Sequence, residues 1–153
     1  MRLLKIPRNG KIDETLFSKC MIADDVIKAT KIMYSKNGYE EPWVGYIAFN
    51  NNKCVGTCAF KSAPFANKVE IAYFTFPEFQ GKGYASRMAQ ALVEIARAEN
   101  PNLVIVAQTQ PEESASNSIL KKIGFEFSKE VMHPHDGEVW EWHLKPFQER
   151  QLS

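Results

Sequence analysis

The sequence predicts an α+β domain, a mixed and mostly antiparallel sheet of about seven strands flanked by about four helices, and three observations predict it. Runs rich in β-branched and aromatic residues follow one another in the first half with short loops between them, the way antiparallel strands are joined. In the second half, two segments carry apolar residues at helical spacing. Between those segments stands Leu103 to Ala107, a short and continuously apolar run, as expected of a strand buried on both faces and reached by a crossover.

Taken in order, Leu3 to Ile6 reads as the first strand. From Asp13 to Tyr34, the residues Ile22, Val26, Ile27, Ala29 and Ile32 recur at roughly helical spacing, giving one or two short helices. Trp43 to Phe49 and Cys54 to Phe60 make a hairpin across Asn50, Asn51, Asn52 and Lys53, a loop whose asparagines tolerate left-handed backbone. Val69 to Phe76 is the next strand, and Pro77 ends it.

Ala85, Met88, Ala89, Leu92 and Ala96 then fall on one face of a helix that Asn100 and Pro101 stop. Pro111, Glu112 and Glu113 open a further helix, where a proline loses no hydrogen bond and carboxylates suit the dipole; Gly124 closes it. Phe125 to Met132 and Val139 to Leu144, turning at Asp136 and Gly137, complete the sheet.

A chain of 153 residues is long enough for one buried core and short for two, so residues 1–153 form a single domain. With 19 Lys and Arg against 18 Asp and Glu, no field is available to hold a polyanion, which argues against a nucleic-acid partner. The apolar start is broken by Lys5 and Pro7, too short for a signal core or a membrane span, so a cytoplasmic setting is expected. A free sheet edge leaves homodimer pairing open.

Cys20, Cys54 and Cys58 form an odd set without C-x-x-C spacing and read as reduced core thiols, the last two on one strand face. His133, His135 and Asp136 read as a surface turn and not a metal site; no metal is expected. Trp140 and Trp142 read as core, with His143 on the opposite face. Trp43, Tyr46, Phe65 and Phe74 fit either ordinary packing or a substrate-pocket wall.

The chemistry concentrates in Gln80-Gly81-Lys82-Gly83-Tyr84-Ala85, set between a predicted strand and a predicted helix. Amides that open a helix have no intrahelical partner, so with the dipole they make an anion site, and phosphate is the natural guest. Gly81 and Gly83 permit close approach and left-handed backbone. The run lacks the third glycine of a dinucleotide fingerprint and the Ser or Thr after Gly-Lys that a nucleotide P-loop requires.

Gln80, Gly83 and Ala85 match the loop of the GNAT superfamily of N-acetyltransferases, which is Gln or Arg, two residues, Gly, one residue, then Gly or Ala. The resemblance extends through Val69 to Pro77 before the loop, and to Ser116 and Ile119-Leu120-Lys121-Lys122-Ile123-Gly124-Phe125 after it. It is closest to the broad branch that includes ribosomal-protein N-terminal acetyltransferases. The resemblance implies acetyl-CoA as cosubstrate, its pyrophosphate held by Gly81, Lys82, Gly83, Tyr84, Ala85 and Ser86. It further implies that Tyr73, Phe74 and Thr75 splay from the neighbouring strand and bind the pantetheine arm, one backbone N–H polarising the thioester carbonyl. Ser116 joins this set.

A primary amine attacks a thioester only as the free base, yet with a pKa near ~10.4 a lysine-like amine is protonated at neutral pH. Glu70 is the candidate base, with a pKa raised in the apolar company of Ala72, Phe74 and Phe76; the other reading is a carboxylate that pairs with a cation or lies at a solvated strand end. Two positions depart from the family pattern. Leu120 stands where many relatives place a tyrosine acid, and Gln108 where the ribosomal branch can use a glutamate. The function expected is transfer of acetyl from acetyl-CoA to a primary amine of a small molecule or peptide. The alternative is an acyl-CoA binding or sensing module without catalysis.

Overall fold

The computed structural model describes residues 1–12 and 23–146. The sequence-predicted helical segment from Asp13 to residue 22 lies outside them, as does Cys20. Within them run β1 (Arg2–Lys5), α1 (Ala23–Asn37), β2 (Gly45–Asn50), β3 (Lys53–Phe60), β4 (Lys68–Thr75), a 3-10 turn (Pro77–Phe79), α2 (Tyr84–Glu99), β5 (Val104–Thr109), α3 (Ala115–Ile123), β6 (Glu126–His133) and β7 (Gly137–Leu144).

The seven strands form one sheet in the order β1-β2-β3-β4-β5-β7-β6. Every described neighbouring pair is antiparallel except β4 with β5. That parallel step follows from the crossover through α2, because a strand reached by way of a helix returns in the same direction. The mostly antiparallel α+β architecture expected from the sequence is present, with three α-helices among the described residues against the expected four.

Local chemistry explains the elements. Asn51 and Asn52 adopt φ of 52° and 65° at the β2–β3 turn, the left-handed geometry their short amide side chains tolerate. In α2 the apolar stripe of Met88, Ala89, Leu92 and Ala96 is fully buried against the sheet, removing from water an area that stabilises by roughly 1.5–3 kcal/mol for each large side chain. Arg97, at the far end of α2, donates to the carbonyl oxygens of Leu144 and Lys145, tying the helix to the end of β7. On the other face, Tyr34 of α1 donates to the Ile6 carbonyl and accepts from the Gly45 N–H at 2.9 Å, so one hydroxyl joins three segments.

Three local expectations are corrected. The helix placed at Pro111 begins at Ala115: Ser114 caps it by accepting from the Asn117 N–H, and the buried Asn117 amide donates to the Glu112 carbonyl, holding the preceding loop out of helical geometry. Trp43 and Val44 precede β2 and are packed in the core. Cys54 is disulfide-bonded and not a reduced thiol; an odd number of cysteines leaves one thiol over but does not forbid a bridge. Cys58 is a free, buried thiol, pushed up to about 12 by burial.

Candidate functional site

Gly83 is the N-cap of α2, with φ of 86° and no side-chain cap. Gly81 has φ of 79°, and an added Cβ at either glycine would meet nothing within 4 Å. Backbone conformation, not crowding, therefore calls for glycine here. The amides of Tyr84, Ala85 and Ser86 open the helix without intrahelical partners, since the first backbone bond runs from the Arg87 N–H to the Gly83 carbonyl. Gln80 braces the loop by donating from Nε2 to the Thr75 carbonyl at 3.3 Å, and Tyr84 accepts from the Asn50 amide at 3.0 Å.

These amides face a groove made by a break in the sheet. β4 pairs with β5 only from Lys68↔Val104 to Ile71↔Ala107, while β3 follows β4 as far as Thr75. From Ala72 to Thr75, β4 thus presents one unpaired edge, and β5 continues separately as Gln108 and Thr109. One section of the groove, about 510 Å³, runs from this edge to the α2 loop and the start of α3. A second, about 630 Å³, shares Tyr73, Phe74 and Ser116 with the first and extends past Ala72, Gln108 and Val139.

Of the sequence-predicted site residues, Tyr73, Phe74, Thr75, Gly81, Gly83, Tyr84, Ala85 and Ser116 line the first section together. Lys82 and Ser86 are not among its lining residues; the Lys82 ammonium lies 5.8 Å from the Phe79 ring centre. Burial pushes the Tyr73 phenol up to about 12, and its hydroxyl is buried without a hydrogen-bond partner among the described residues. Leu120 is fully buried beneath. Phe74 is half exposed and lines the groove, whereas Trp43 and Tyr46 are core residues packed edge-on against Phe60 and Phe65 is exposed.

Glu70 lines neither section. Its carboxylate is ion-paired to Lys61, which the β3–β4 ladder places beside it through the Lys61 N–H to Glu70 carbonyl bond. Of the two readings of Glu70, the pairing with a cation is the one this geometry contains.

A polar cluster that sequence reasoning did not assemble lies beside the second section. Gln108 of β5 is the register partner of Glu141 of β7 and donates to it from Nε2 at 3.4 Å, while His143 donates to its other oxygen at 2.9 Å. Glu141 is partly desolvated, yet hydrogen bonds from His143 and Gln108 hold its carboxyl below the usual range. Strand alternation put His143 opposite the tryptophans; only the β5–β7 register could have supplied Gln108. At the β6–β7 turn, His133 Nδ1 accepts from the His135 and Asp136 N–H groups. Among the described residues no group of three or more His, Cys, Asp or Glu is placed to hold a metal ion, and no helix is long and apolar enough to cross a membrane.

Comparison with known proteins gives this arrangement a family. The chain is 39% identical over 75 residues to the uncharacterized N-acetyltransferase YnaD of Bacillus subtilis (strain 168), a match covering 47% of this chain and 44% of YnaD; it therefore spans less than half the length of that curated relative. Its fold is similar to that of RimL, a ribosomal L7/L12 alpha-N-protein acetyltransferase, with a TM-score of 0.67, 16% identity, and coverage of 94% and 92% of the two chains. A chimera of the spermidine N-acetyltransferase SpeG from Vibrio cholerae and hSSAT gives a TM-score of 0.70 at 13% identity over 99% of both chains. The putative acetyltransferase yncA from Salmonella typhimurium, solved with its cofactor acetyl-CoA, gives 0.63 at 16% identity over 95% and 93%. The model of the acetyltransferase (GNAT) domain matches residues 15–126, a span that takes in the parted strands, the glycine loop and the whole of α3. By that match the chain belongs to the GNAT acetyltransferase family.

Proposed function

We propose that this protein transfers the acetyl group of acetyl-CoA directly to a primary amine of a small molecule or peptide. One observation carries the reading: a single groove connects uncapped helix amides, suited to a diphosphate, with the unpaired edge of β4, suited to the amides of a pantetheine arm. Acetyl-CoA supplies an activated acyl group with a thiolate leaving group.

The protein's part is to hold, orient and polarise. Gly81 to Ser86 bind the diphosphate through backbone N–H groups, and the free edge from Ala72 to Thr75 aligns the arm and offers an N–H to the developing oxyanion. Tyr73 keeps its proton at every physiological pH and donates a hydrogen bond to the sulfur as the C–S bond breaks, a service that Leu120 cannot give. Ser116 lines the groove beside that phenol. The amine attacks as its free base, and the proton it sheds on forming the N–C bond passes through water to the departing thiolate. Glu70 is given no proton to carry, because the Lys61 ammonium already engages its carboxylate.

The test pairs calorimetry of acetyl-CoA binding with thiol release in the presence of spermidine, a peptide with a free N-terminal serine, and simple primary amines. Binding together with thiol release is the expected result. Absence of binding overturns the proposal; binding without release for every amine favours the non-catalytic sensing module instead.

A further inference from the structure

We infer that Gln108, fixed by Glu141, is the group that receives the N–H of the attacking amine. The inference rests on the transfer reading above and assigns the wall of its second section. Gln108 is the first β5 residue beyond the last rung shared with β4, Ile71↔Ala107, so it stands where the strands part. Gln108 lines the section that also holds Ala72 and Phe74.

An amide side chain has two ends of opposite character, an oxygen that only accepts and a nitrogen that only donates. Which end faces the groove is decided by the neighbour. Glu141 accepts from Gln108 Nε2 on one oxygen and from His143 Nε2 on the other, and an ionised carboxylate cannot donate. Its side chain is 13% exposed and that of His143 18%, so water competes poorly for those bonds. One N–H of the amide is thereby engaged by Glu141, which makes nitrogen the end facing β7 and leaves Oε1 as the end able to accept from a guest.

A wall that accepts hydrogen bonds at the parting of the strands fits a donor such as a primary amine. It directs the nitrogen lone pair away from Gln108, and the carboxylate behind it favours the positive charge that grows on nitrogen as the N–C bond forms. Glu141 and His143 are positioning residues, since they act through Gln108. This carboxylate comes from β7, one strand over from Gln108.

The experiment measures steady-state thiol release with spermidine and with the serine peptide, alongside acetyl-CoA binding, for four proteins. Q108M removes the acceptor oxygen and is expected to raise the KM of the amine about tenfold, one hydrogen bond's worth, with acetyl-CoA affinity unchanged. E141Q lets the amide turn over and is expected to raise the same KM about threefold to tenfold. The exchange Q108E with E141Q restores an oxygen at position 108 held by an amide at 141, and should recover amine KM to within about threefold of the parent.

Unchanged amine KM in Q108M and E141Q overturns the assignment while leaving acetyl transfer intact. A folded double variant that stays as impaired as E141Q also overturns it, showing that Glu141 serves packing alone. A parent protein that releases no thiol with either amine sinks the transfer reading first, and this inference with it.

Discussion

Gly56 of β3 and Phe74 of β4 approach so closely that a Cβ on Gly56 would lie 2.4 Å from the Phe74 carbonyl oxygen and 2.9 Å from Met88 Cε. A flexible methionine can yield; a strand carbonyl cannot do so without moving β4. G56A is therefore expected to cost about 1–3 kcal/mol, the usual penalty for overpacking, read as a lower denaturant midpoint at unchanged slope. Because the displaced segment carries the free edge of the groove, acetyl-CoA affinity should fall as well.

Gly83 differs, for open space surrounds it and only its φ of 86° is demanding. G83A should lose about 1–2 kcal/mol through left-handed strain and weaken acetyl-CoA binding by disturbing the amides that open α2. Gly38, at φ of 90° and equally open, provides the control. G38A should lose comparable stability and leave acetyl-CoA affinity untouched; parallel losses of affinity would remove the loop from the binding site.

Y73F is expected to lower kcat about tenfold, the worth of one hydrogen bond to a charged group, without altering acetyl-CoA affinity. The Tyr73 pKa of about 12 lies above its unfolded value of 10.0. Its stabilising contribution is therefore complete below pH 10 and lost as pH rises from about 10 towards 12. Denaturant midpoints across that window should fall less steeply in Y73F than in the parent.

E70Q should retain acetyl-CoA binding and leave the rate profile between pH 6 and 9 unchanged. Its partly exposed pair with Lys61 is worth no more than about 0–1 kcal/mol to stability. Turnover reduced at neutral pH alone would return Glu70 to the role of base.

The elements themselves were legible in the chain because each carries a local signal: asparagines for the β2–β3 turn, a glycine cap for α2, an apolar stripe beneath it. The glycine loop was legible for the same reason. Relations between distant segments were not. Where β4 parts from β5 depends on a ladder whose end no residue marks, and Gln108 meets Glu141 across 33 positions only once the β5–β7 register exists. Strand alternation named the face of Glu70 but not Lys61, just beyond the end of β3, so it left the base and the cation partner as two open readings. Pro111 and its acidic neighbours imitated a helix start that Ser114, a better cap, supplied instead.

The sole parallel joint among the described strands has a mechanical consequence. It divides the sheet into two antiparallel leaves, β1 to β4 and β5 to β7, stitched by four rungs between Lys68–Ile71 and Val104–Ala107. A guest bridging the unstitched margin would lengthen the seam. Hydrogen exchange at Ala72–Thr75 and at Gln108–Thr109 should then slow in concert when the wedge is filled.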